Sequence, residues 1–152
     1  MPHIHDKIDY TVEVFIVSEN KVLLHMHQKL NKWLSIGGHI ELDEDPIEAA
    51  HREVKEEMGI EIELITASDP VDFPDGPREL GAPQFLNRNP IAGDHEHITF
   101  VYLARPKSTD LKPEETITEW KWFGREEIEQ NHVGIPENVQ FYALKALDML
   151  SS

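Results

Sequence analysis

The sequence predicts an α/β domain in which a mixed β-sheet is packed between helices, an α/β/α sandwich. Strand-like segments rich in β-branched and aromatic residues recur from Tyr10 onward. One long amphipathic helix lies between strands, and a second closes the chain. Hairpin-like neighbours stand beside strands separated by a helix, which argues for a mixed sheet covered by helices.

Taken in order, Tyr10 to Val17 reads as a strand and Ser18-Glu19-Asn20 as a turn. Lys21 to Gln28 completes the hairpin, with Val22, Leu24 and Met26 on one face and His25 and His27 on the other. A polar loop from Lys29 to Lys32 leads to Trp33-Leu34-Ser35-Ile36 and to Gly37-Gly38, a pair that permits a tight turn. Ile40 and Leu42 are expected to anchor the following loop by packing inward. A helix begins near Pro46, behind the acidic run Asp43-Glu44-Asp45, and stops at Gly59. Ile60 to Ala67 is a strand. Ser68 to Asp94, with prolines at 70, 74, 77, 83 and 90, reads as a long irregular loop holding at most a short strand at Gln84-Phe85-Leu86. Strands follow at Ile98 to Ala104 and Ile117 to Phe123, then a short helix at Glu126 to Asn131. Pro136 to Leu150 closes the chain as a helix whose apolar stripe is Val139, Ala143, Ala146, Leu147 and Leu150.

The chain has 152 residues, 39% of them hydrophobic, which suits one domain over 1–152 with one packed interior. The stretch Met1 to Asp9 is polar and lacks the apolar centre of a signal peptide, and no apolar run approaches the ~20 residues of a membrane span. There is no cysteine, so neither a disulfide nor a thiolate enters the chemistry. A cytoplasmic protein without membrane association is expected. Lys plus Arg number 14 against 29 Asp plus Glu, a net charge of −15. Such a surface repels nucleic-acid phosphates, so no nucleic-acid partner is expected. A small polyphosphate meets the same repulsion unless a divalent cation stands between it and the carboxylates.

The residues that carry chemistry lie on and before the first helix. At ~100° per residue, Ile47, Ala50, Val54 and Met58 form the stripe that faces the core. Glu53, Glu56 and Glu57, spaced i, i+3, i+4, share a neighbouring stripe. Like charges so placed destabilise a helix by a few tenths of a kcal/mol per pair. Arg52 reaches Glu48 or Glu56 at i±4 and cannot neutralise all three. By itself such a stripe is more often a solvated face than a ligand set. A hard cation, Mg²⁺ or Mn²⁺, is the alternative counter-charge.

The segment from Gly38 to Ile60 reads GHIELDEDPIEAAHREVKEEMGI and resembles the box of the Nudix (MutT-like) hydrolase family, G-x5-E-x7-R-E-U-x-E-E-x-G-U, with U a bulky aliphatic. Gly38, Glu44, Arg52, Glu53, Val54, Glu56, Glu57, Gly59 and Ile60 fill its nine specified positions. Many members carry proline just before the Gly-Gly pair, where this chain has Ile36. The resemblance implies the Nudix fold and a pyrophosphohydrolase. It implies Glu53, Glu56 and Glu57 as metal ligands with the Gly37 carbonyl beside them, Glu53 as leading general base, Arg52 as the residue that orients the glutamates, and a structural role for Glu44. The implied reaction is attack of water on phosphorus in a nucleoside-diphosphate-linked small molecule. A nucleoside triphosphate, ordinary or oxidised, is favoured, with release of pyrophosphate. ADP-ribose or another nucleotide sugar comes next, then a dinucleoside polyphosphate. A non-catalytic nucleotide sensor of the same fold is the rival of another class, and homodimers are common in the family.

Secondary candidates are Gly38 and His39 at the site, and Glu96 within His95-Glu96-His97 as a further ligand or base. His25 and His27 share a strand face without a third ligand at telling spacing. Trp33, Phe73, Phe85, Trp120 and Trp122 are expected mostly in core packing. Specificity is expected from Ser68 to His97 and from the strand around Trp120.

Overall fold

The computed structural model describes residues 7–151; most of the polar stretch Met1 to Asp9 lies outside the described residues. The strands are β1 (Ile8–Ser18), β2 (Lys21–His27), β3 (Lys32–Leu34), β4 (Ile36–His39), β5 (Ile62–Ile65), β6 (Phe85–Ala92), β7 (His95–Pro106) and β8 (Trp120–Gly124). The helices are α1 (Pro46–Met58), α2 (Arg125–Gln130) and α3 (Glu137–Leu150).

β1 organises the sheet. Along one edge it runs parallel to β7, from Ile8 opposite Glu96 to Ile16 opposite Ala104. Its other edge is divided. The first half pairs antiparallel with β4, Thr11 opposite His39 and Val14 opposite Ile36, and the end pairs with β2 through Val17–Val22 and Ser18–Lys21. β2 continues outward to β3 and β8, while β5 and β6 pair with β7. The sheet is therefore mixed, as the sequence predicts, and it forks where β2 and β4 part from β1.

Alternation along β1 places a core on each face. Val12, Val14 and Ile16 pack with Ala49, Ala50, Val54 and Met58 of α1. Phe15 and Val17 pack with Val139, Ala143, Ala146, Leu147 and Leu150 of α3, the five positions expected of its stripe. Ala49 and Ala50 have no exposed surface, so α1 lies close against the sheet. Each of the larger buried aliphatic side chains contributes roughly 1.5–3 kcal/mol. α1 starts in a capping box: the Glu48 N–H donates to Asp45 Oδ1 at 2.8 Å, and the Asp45 N–H donates to Glu48 Oε1 at 3.0 Å. It ends on Gly59 at φ 70°, whose N–H donates to the Lys55 carbonyl.

Four expectations are corrected. The 68–94 stretch is not irregular to its end, because β6 runs through Pro90 and forms a hairpin with β7, which itself starts at His95. Proline lacks a ladder donor, but it is tolerated in a strand with an unpaired outer edge, here next to a register shift between Pro90 and Ala92. Gly37-Gly38 is not a turn; both residues lie in β4, paired with Glu13 and Val12. Leu42 does not pack inward but is 66% exposed, while Ile40 does meet the core. Ile117 precedes β8 in a turn and is buried there, its N–H donating to the Glu114 carbonyl.

Candidate active site

The site is assembled where α1 crosses β4. Arg52 is its hub. Its Nε and Nη2 grip Glu44 side-on, at 3.0 Å to Oε2 and 2.6 Å to Oε1. Nη1 donates to Glu53 Oε1 at 2.8 Å and to Glu56 Oε2 at 3.2 Å, and Nη2 also donates to the His39 carbonyl at 2.9 Å. Arg52 thus binds the loop, the strand and the helix together. It does so without Glu48, one of the two i±4 partners expected, because Glu48 is occupied in the capping box. Glu44 keeps 10% side-chain exposure and is held below the usual carboxylate range by its hydrogen bonds from Arg52.

The three helix glutamates differ in surroundings. Glu56 is 55% exposed and accepts from Arg52. Glu53 lies against Gly38, where a Cβ would come 2.5 Å from Glu53 Oε1, so glycine is needed for this carboxylate to stand against the strand. Glu57 is 12% exposed and is hydrogen-bonded to Glu53. Burial first, then the Glu53 hydrogen bond and charge, push the Glu57 carboxyl up to about 9. Burial likewise raises Glu53, opposed by its hydrogen bonds with Glu57 and Arg52. Burial and mutual repulsion thus both disfavour ionising the two carboxyls at once.

Gly37 has another reason to be glycine. A Cβ there would fall 2.1 Å from the Val12 carbonyl oxygen, inside the β1–β4 ladder. Its backbone amide also favours the ionised form of Glu57.

A cavity of about 550 Å³ opens in the fork of the sheet, and Glu57, Gly37 and Gly38 form part of its wall. That is within the range of small-ligand sites. On β1 the polar residues Thr11 and Glu13 line it; Glu13 Oε2 is buried without a hydrogen-bond partner, and burial pushes its carboxyl up to about 7. From β2, His25 stands 3.7 Å from Glu57 through Nε2, and burial lowers its pKa toward the neutral ring. Glu114 completes this end. Glu13, His25 and Glu114 were not distinguished as partners of the box. The usable signal was the alternation Asp9, Thr11, Glu13, three polar residues on one face of an otherwise apolar strand.

The secondary candidates separate. His39 lines the cavity together with His97. Glu96 points elsewhere: both its oxygens accept from Arg88 across the β6–β7 hairpin, at 2.9 and 2.5 Å. Of the 68–97 stretch, Asn89 and His97 reach the cavity among the described residues; Trp120 does not line it and is 41% exposed. Residues 25–30, with Glu114, Thr116 and Ile117, supply the wall expected from those regions. Trp33 is core, edge-on to Phe123 at 5.0 Å between ring centroids.

Comparison with known proteins agrees with this geometry. A family model described as the NUDIX domain matches residues 7–144. A crystal structure of a NUDIX-family hydrolase from Clostridium perfringens is 38% identical and superposes with a TM-score of 0.82, covering 94% of this chain and 98% of that one. A NUDIX hydrolase from Nitrosomonas europaea (19% identity, TM-score 0.69, 94% and 90% covered) shares the fold. So does a MutT NUDIX hydrolase from Burkholderia pseudomallei (18%, 0.66, 96% and 100%).

Proposed function

Because the chain belongs to the Nudix hydrolase family, whose members split pyrophosphate bonds of small nucleotide substrates, we propose that it hydrolyses a nucleoside triphosphate, ordinary or oxidised, releasing pyrophosphate. The observation that carries this reading is the carboxylate pair Glu53–Glu57, Glu53 held by Arg52 and Glu57 open to a cavity of small-ligand size.

The donor set fits a divalent cation. Glu53 and Glu57 are neighbouring carboxyls in a largely shielded position, where two negative charges without a counter-charge are costly. Mg²⁺ or Mn²⁺ would be held by Glu53, Glu56 and Glu57 with the Gly37 carbonyl. Such an ion supplies positive charge against the phosphate oxygens. The chain's own residues do the rest. Arg52 holds Glu53 and Glu56 in place, and its contact favours the ionised form of Glu53. Glu53 accepts the proton of the attacking water as its oxygen bonds to phosphorus and the phosphoanhydride P–O bond breaks. Gly38 leaves room for the Glu53 carboxylate beside the strand. The polar cavity wall of Thr11 and Glu13 receives the remainder of the substrate.

The test is phosphate and pyrophosphate release with Mg²⁺ or Mn²⁺ across a panel of nucleoside triphosphates, ADP-ribose, nucleotide sugars and dinucleoside polyphosphates. Pyrophosphate release from a triphosphate is expected, with Glu56→Gln and Glu57→Gln each folded and nearly inactive. Near-wild-type turnover in both variants overturns the site assignment, and preference for another panel member overturns the substrate. Tight cation-dependent binding without turnover identifies a sensor instead. Reaction in ¹⁸O-labelled water locates the attacked phosphorus.

A further inference from the structure

We propose that Asp9, His95 and His97 form a second cation site, suited to a transition metal of the zinc class, beside the part of the cavity wall made by His39 and His97 and sharing no residue with the glutamate cluster. β4, β1 and β7 lie side by side, and their register brings these residues onto one surface. Asp9 is directly opposite His97, and His95 follows two residues away on the same face of β7. One ligating atom from each of the three lies within 4.8 Å of the others. His95 Nε2 is 3.0 Å from Asp9 Oδ2, and His39 Nε2, from β4, is 3.6 Å from the same oxygen. Four-coordinate zinc has bonds of ~2.0–2.1 Å to imidazole nitrogen and carboxylate oxygen, which sets neighbouring ligand atoms about 3.3 Å apart. The two measured separations bracket that value, so small side-chain shifts suffice.

The chemistry differs from that of the box. Imidazole nitrogen selects zinc, copper, nickel or cobalt, whereas an all-carboxylate set suits magnesium or manganese. The neighbouring acids are already committed. Glu96 is gripped by Arg88, and Asp94 pairs with Lys7 at 3.3 Å. Among the described residues, the ion pairs of Asp9 are with two imidazoles and not with Lys or Arg. The rings of His39 and His95 both stand edge-on to His97, at centroid distances of 5.1 and 5.3 Å, so a fourth ligand is at hand. Asp9, His95 and His97 are all carried by paired strands, which limits the reorganisation that binding requires.

The inference does not depend on the hydrolase reading. It is tested with untagged, chelator-stripped protein in which Glu53, Glu56 and Glu57 are all glutamine, with folding checked by circular dichroism. Zn²⁺ is titrated against a chromophoric chelator, and Co²⁺ is followed by its visible absorption. One equivalent of Zn²⁺ and the absorption of four-coordinate Co²⁺ are expected to survive in this background. Adding His95→Asn and His97→Asn should weaken Zn²⁺ by more than the roughly 10–100-fold that an outer-shell change costs, and should abolish the Co²⁺ bands. No zinc binding in the glutamine background overturns the proposal. So does binding that His95→Asn/His97→Asn leaves unchanged, or that is removed by His3→Ala/His5→Ala in the N-terminal stretch outside the described residues.

Discussion

Arg52 shows how much of a site can hang on one side chain. Its planar fork meets Glu44 side-on while the remaining nitrogen reaches two helix glutamates, a geometry that a lysine ammonium does not reproduce. Arg52→Lys is expected to lower stability by on the order of 1–3 kcal/mol, the range for hydrogen bonds to charged groups, and to cut kcat at least tenfold. Urea denaturation and steady-state kinetics measure the two effects. The paired glycines make a sharper contrast. At Gly38 a Cβ meets only the end of the Glu53 side chain, so Gly38→Ala should fold and lose most activity by displacing that carboxylate. At Gly37 the obstacle is the Val12 carbonyl, so Gly37→Ala should destabilise by at least the 1–3 kcal/mol typical of overpacking. Thermal melts set beside turnover distinguish the two. The i, i+3, i+4 spacing already put Glu53, Glu56 and Glu57 on one stripe. It did not rank them, because burial of Glu57 and exposure of Glu56 depend on where β4 and the cavity wall lie.

Among the elements, α1 was legible almost to the residue. Its signals are local: a capping residue, proline in the first turn, an apolar stripe and a terminal glycine. Asp45→Ala removes the capping box and the 3.2 Å contact from Arg78, and should cost about 1 kcal/mol, the usual effect of losing a polar cap. Chemical denaturation reads this, and kcat should change less than in Arg52→Lys. β6 and β4 were not legible for the opposite reason. Each carries residues that disfavour strands, Pro90 in one and Gly37-Gly38 in the other. What makes them strands is pairing with β7 and β1, a non-local contact that outweighs local propensity. Glu96 illustrates the consequence. Within β7 it sits between His95 and His97, and Arg88 of β6 lies across the hairpin to claim it.

For the whole molecule, the buried acids make a pH dependence with a definite sign. Glu13 and Glu57 are raised from the ordinary value of 4.5, to about 7 and about 9. A group raised by folding favours the native state while protonated. That contribution is complete below about 4.5 and is lost as pH climbs through the raised value. In chelator, the melting temperature should therefore fall between pH 5 and pH 9. The Glu13 part should be lost by about pH 7 and be absent in Glu13→Gln, and the Glu57 part should vanish in Glu57→Gln. Mg²⁺ or Mn²⁺ should restore stability more at pH 8 than at pH 6, with protons released on binding that calorimetry in buffers of different ionisation enthalpy detects.

The sequence by itself determined the mixed α/β architecture, the bounds of α1, the apolar stripes of both long helices and, through its resemblance to a known family, the kind of bond that family cuts. All of these are written in short-range spacing: period two along β1, period 3.6 along α1 and α3, and nine residues at fixed intervals around one helix. Only the tertiary structure decided which glutamate is buried, that Glu13 and His25 line the same cavity as it, and that Asp9, His39, His95 and His97 converge from three strands. Residues far apart in the chain meet through strand register and through the fork of the sheet at β1. Both arise from pairing energies shared among many residues, which no local pattern records.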